Sequence, residues 1–64
     1  MPIRQPQVGD IWKPKHQDKI MFLITDKYFS EETNTHMLRI KNLATGYNGE
    51  AHFVFVRDCW EYIA

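Results

Sequence analysis

A single cysteine, Cys59, in a chain of 64 residues does most to limit what this protein can fold into. A domain this small sits near the lower edge of what folds alone, and its core seldom contributes more than about 3–5 kcal/mol of net stability. The usual reinforcements are disulfides, a bound metal or a partner. One cysteine excludes an internal disulfide, and no CxxC pair exists for a zinc ribbon or a thioredoxin-type redox motif. Cys59 with His16, His36 and His52 has the ligand number of a zinc site, but no spacing places two of them on one turn. The chain is therefore expected to hold no metal or cofactor and to draw reinforcement from a partner.

That partner is not marked by bulk charge. Eight basic and eight acidic side chains cancel, whereas a polybasic nucleic-acid binder needs excess cations. The longest apolar run, "IMFLI", is far short of the roughly 20 residues of a membrane span, and "MPIRQPQVGD" lacks a signal-peptide apolar core. A lone free thiol suits a reducing compartment, so a cytoplasmic location is expected.

The pattern along the chain predicts one β domain over residues 1–64, with residues 1–7 as an extended arm containing Pro2 and Pro6. "VGD" reads as a turn into a short strand, Ile11 to Lys13, stopped or placed at an edge by Pro14. "KIMFLITDKYF", "THMLRIKNLA" and "EAHFVFVR" read as three strands rich in β-branched and aromatic residues. "DCW" reads as a helical turn and "EYI" as a last strand. A helix over "SEETNTHMLRIKNLA" is the competing assignment. It lacks a good capping box and contains weak helix formers at Thr33, Asn34 and Thr35.

Register sharpens the prediction. The Asn48-Gly49 hairpin signal would pair Ile40 with Arg57 and mix the faces. A five-residue loop over Thr45 to Gly49 instead sets Ile40 opposite Val54 and Leu38 opposite Val56. A similar loop over Ser30 to Asn34 sets Ile24 opposite Ile40. The expected core face is Ile20, Phe22, Ile24, Leu38, Ile40, Val54 and Val56. The expected second face is Met21, Leu23 and Thr25, then Arg39, Lys41 and Leu43, then Ala51, Phe53, Phe55 and Arg57.

The strand order, the opening "VGDIW" and the turn near "RDCW" resemble the SH3-like small barrels across nearly the whole chain. This family includes KOW-type modules and small bacterial and phage proteins. The resemblance implies an all-β fold, either a five-stranded SH3-like barrel or a strongly bent antiparallel sheet. The "ALYDY" pattern that gives SH3 ligand domains their proline-peptide groove is absent, and "KPKHQDK" lacks the glycine of a KOW loop.

No nucleophile–base set stands out. Cys59 reads as a small hydrophobe, Glu31-Glu32 as solvated turn residues, and Gly46 and Gly49 as turn positions with no phosphate-binding pattern. The second face carries the functional expectation. Phe53 would lie across from Lys41 and Phe55 from Arg39, close enough for cation–π contact. The chain is thus expected to be a non-catalytic binding module, possessing a protein or homo-oligomer interface and no small-molecule substrate. Phage origin and action on host machinery would fit its size and resemblance. Arg39, Lys41 and Arg57 would orient the partner, Phe53 and Phe55 would be buried by it, and Trp12 and Trp60 would join them if exposed. The alternative is a KOW-like nucleic-acid module using the same basic–aromatic stripe.

Overall fold

Alternation in the middle of the chain produces the longest hairpin of the molecule. The computed structural model describes residues 4–64. Strands β1 (Ile11–Pro14), β2 (Phe22–Ser30), β3 (Thr35–Asn42) and β4 (Asn48–His52) are followed by a helix, α1 (Phe53–Cys59), and a last strand, β5 (Trp60–Tyr62). They form one antiparallel sheet in the order β4-β3-β2-β1-β5. The edge strands β4 and β5 do not pair with each other, so the sheet is bent but open. This is the expected five-stranded all-β architecture, with one short helix laid on it. The competing helix over residues 30–44 does not form.

Ile24 lies opposite Ile40, as the alternation predicts, but the hairpin turn is shorter than expected. Ser30 pairs with Thr35, leaving Glu31 to Asn34 as the connection, with Asn34 in the left-handed region at φ 54°. The two registers are reconciled by a β-bulge at Thr25, between Ile24 and Asp26. One extra residue on β2 moves every later side chain of that strand to the other face. Asp26, placed by strict alternation on the core side, is instead exposed beside Arg39.

The β3–β4 connection also differs from expectation. It spans Leu43 to Tyr47, and Asn48-Gly49 lies within β4. The cause is Asn42. Its side-chain oxygen accepts the N–H groups of Ala44 and Thr45 at 2.9 and 3.3 Å, starting the turn at once. Gly46 supplies the positive φ of 79° that completes it. Leu38 consequently faces Ala51 and Ile40 faces Gly49, not Val56 and Val54.

That register explains why "FVFV" is helical and not extended. Continuing the ladder would put Phe53 opposite His36 and Val54 opposite Thr35, where β3 begins. Phe55 and Val56 would have no strand to join. Coiling residues 53–59 folds Val56 back over the sheet, where it is fully buried. The helix forms without a side-chain N-cap or an acidic first turn, and Phe and Val are weak helix formers. Tertiary burial of Val56 and of part of Phe53 stabilises it.

The core comprises Trp12, Ile24, Leu38, Ile40, Val56 and Trp60, with Phe22, Ala51 and Phe53 packed against it. Of the expected core, Phe22, Ile24, Leu38, Ile40 and Val56 belong there. Ile20 is half-buried, and Val54 is 47% exposed on the outer side of α1. Phe22 stacks on Trp60 at 5.0 Å, and Trp12 meets the edge of Tyr62 at 5.8 Å. Pro14 lies at the end of β1, where the ladder to β2 has stopped and only β5 is adjacent.

The described part of the arm is fastened by a buried carboxylate. Asp10 accepts hydrogen bonds from Arg4, from the Gln7 backbone N–H and from Trp12 Nε1, and Pro6 is buried nearby in sequence. Burial alone would raise the Asp10 carboxyl, but the bonds from Arg4, Trp12 and Gln7 outweigh it and hold the group below its ordinary value. Arg4 also lies 4.0 Å over the Tyr62 ring. Residues 1–3 of the expected arm lie outside the described residues.

Candidate binding face

The two sides of the sheet have different surroundings. The core side is covered by α1. On the other side Met37 is buried, whereas Arg39 and Lys41 of the same strand are exposed. Register places Ile11, Leu23 and Lys41 on this open side, with Met21 and Leu43 adjoining through the Leu43 N–H bond to the Met21 carbonyl at 3.0 Å. Past the bulge it continues with Tyr28, Arg39, Asn48 and Glu50. Met21 and Leu43 are exposed and Leu23 is half-buried. One end of the open face is thus aliphatic and the other polar.

The polar end is organised around β4. The Tyr28 hydroxyl donates to Glu50 Oε2 at 2.6 Å, and this bond, followed by burial, raises the phenol above its ordinary value. The Arg39 guanidinium sits 5.2 Å from the Tyr28 ring. Thr25 donates its hydroxyl to the Arg39 carbonyl at 3.2 Å, so the bulge is tied to β3. Thr25, Arg39, Ile40, Asn48, Gly49 and Glu50 line a shallow groove of about 440 Å³. Among the described residues, neither Arg39 nor Lys41 has a carboxylate within salt-bridge distance.

The expected site residues do not converge on one surface. Arg39 and Lys41 lie on the open face, as expected. Phe53 and Phe55 do not lie across from them, because both belong to α1 on the other side of the sheet. Phe53 is half-buried, meets the edge of His36 at 6.4 Å and carries Lys27 Nζ 4.5 Å above its ring. Phe55 is 52% exposed, with its ring edge-on to Trp60 at 6.4 Å. Arg57 is held by Asp58 through two bonds of 2.8 and 3.2 Å, and that pairing raises Arg57 and lowers Asp58 from their ordinary values. Trp12 and Trp60 are 3% and 8% exposed, so they are core residues and not contact anchors. Apart from Arg4 over Tyr62, the cation–aromatic contacts that form, Arg39 with Tyr28 and Lys27 with Phe53, depend on the bulge and the helix, neither of which strict alternation includes.

Three members of the polar end, Tyr28, Asn48 and Glu50, were absent from the sequence expectation. Tyr28 and Glu50 meet because the bulge brings residue 28 to the open side and Asn42 sets Glu50 opposite Arg39. The one sequence signal available was Asn42 itself, an Asn directly after an alternating strand. Cys59 is exposed on α1, and no cluster of metal-ligating groups exists among the described residues. No helix among them is long and apolar enough to cross a membrane. Comparison with models of known families, with curated proteins and with solved structures finds no match in any of the three.

Proposed function

We propose that this chain is a non-catalytic binding module that docks an acidic, partly apolar protein surface on the open face of its sheet. The observation that carries the reading is that Arg39 and Lys41, beside the exposed Met21 and Leu43, have no carboxylate partner among the described residues. Contact surfaces combine an apolar centre with charges that select and orient the partner. The strand order also supports the SH3-like resemblance, since β5 returns beside β1 after a short helix. Glu50 beside Arg39 and Glu61 beside Lys13 interrupt the continuous run of cations that a phosphate backbone needs, whereas a local carboxylate on a protein needs only the Lys41 end of the face. Thr25 already donates its hydroxyl to a carbonyl, which leaves the groove without an evident activated nucleophile.

The test is capture of partners from a cell lysate with and without nuclease, followed by mass spectrometry. The double variant Met21→Asp, Leu43→Asp and the single variant Lys41→Glu should each lose the captured protein while the melting temperature stays close to that of the parent. Capture that survives both variants overturns the reading. Capture abolished by nuclease, with a steep salt dependence, transfers the face to the nucleic-acid alternative.

A further inference from the structure

The hydrogen-bond pattern of β3 and β4 identifies which backbone groups are left for a partner. The Asn42 N–H bonds the Tyr47 carbonyl at 2.8 Å, so this pair is of the closely bonded kind. Antiparallel pairs alternate between bonded and non-bonded. Ile40–Gly49 and Leu38–Ala51 are therefore bonded pairs, and Lys41–Asn48, Arg39–Glu50 and Met37–His52 are not. On β4 the N–H groups of Asn48, Glu50 and His52 and the carbonyls of Asn48 and Glu50 point away from β3. The His52 carbonyl is excluded because it opens α1. None of these outward groups has a backbone partner among the described residues.

Protein edges are commonly blunted by lysine, proline or a covering loop. Edge strand β4, "NGEAH", has no lysine or proline, all of it except Ala51 is exposed, and the groove runs beside it. An added strand would set its open-face side chains next to Asn48 and Glu50. Opposite Asn48, a neutral residue, such a side chain would look toward Lys41 and diagonally toward Arg39, two cations without carboxylate partners among the described residues. Glu50, which accepts the Tyr28 hydroxyl, keeps its charge, so the favourable position for an acidic side chain is opposite Asn48 and not opposite Glu50.

We infer that β4 is a strand-addition site for an extended peptide segment that carries an acidic residue opposite Asn48. This rests on the open-face reading and specifies the form in which the partner binds. The backbone groups of β4 give affinity, and Arg39 and Lys41 select the carboxylate.

The experiment uses a blocked eight-residue peptide alternating Thr and Val, with one central Glu. Its Gln counterpart and a backbone N-methylated version are the comparisons. Titration into the labelled protein should shift the amide signals of Asn48, Glu50 and His52. The Gln peptide should bind at least about threefold more weakly, and the N-methylated peptide at least about tenfold more weakly. Glu50→Pro removes an outward N–H and no ladder bond to β3, so it should lose at least about tenfold in affinity, whereas Glu50→Gln keeps binding. If Glu50→Pro fails to fold, the N-methylated peptide carries the same test on the unaltered protein. Absence of binding at millimolar peptide, equal binding by the N-methylated peptide, or signal changes confined to α1 would each overturn the inference. Should Glu50→Pro retain a captured partner that the Met21, Leu43 double variant loses, strand addition falls and the open-face reading stands. Retention by both variants removes both.

Discussion

The β2–β3 hairpin and the segment from Phe53 to Cys59 share a composition rich in β-branched and aromatic residues, yet one is extended and the other coiled. In the hairpin every strand residue outside the bulge has a cross-strand partner, from Phe22 with Asn42 to Ser30 with Thr35. In the second segment the neighbouring strand runs out at Thr35. The difference teaches that an apolar run becomes a strand only where backbone partners remain available. Where they do not, the helix satisfies its own carbonyls and N–H groups, and buried Val56 with half-buried Phe53 holds it against the sheet.

The comparison can be broken most forcefully at Val56. Aspartate there would place a carboxylate in a fully buried site within the apolar cluster. The expected cost of several kcal/mol exceeds the roughly 3–5 kcal/mol available to a domain of this size. Circular dichroism should therefore show an unfolded chain, and a cooperative melt would mean that α1 does not close the core.

A smaller effect is expected where the register is set. Asn42→Ala removes the acceptor of the Ala44 and Thr45 N–H groups and should cost about 1 kcal/mol in denaturant unfolding. An unchanged midpoint would place the origin of the β4 register elsewhere. The smallest change is the one whose sign matters. Val54 faces outward on the helix, so Val54→Ala should stabilise by roughly half a kcal/mol through helix propensity. In the extended arrangement, with Val54 packed on Ile40, the same substitution would destabilise by about 1 kcal/mol or more.

Alternation was sufficient to locate the parts of the molecule that have partners on both sides. It placed Ile24, Leu38 and Ile40 in the core, and Arg39 and Lys41 on the opposite face. It could not locate the Thr25 bulge, because no glycine or proline marks it. It misassigned Phe53 and Phe55 because the decision between strand and helix lies in the length of β3 and in the Asn42 turn, not in residues 53–59 themselves. The exposure of the tryptophans, on which their place in the contact set depended, was not legible for a related reason. Their burial follows from β1 and β5 lying side by side, a long-range pairing that neither local sequence announces.

The irregularity at Thr25 allocates surface chemistry. Before it, Phe22 and Ile24 point to the core side; after it, Lys27 and Phe29 do, while Asp26 and Tyr28 are assigned to the opposite one. Gain or loss of one residue at this point would interchange what the outer half of the hairpin displays, yet leave the interior half as it was. A lineage could thereby exchange one set of contacts for another through a single codon insertion or deletion, with no compensating repair of the hydrophobic interior.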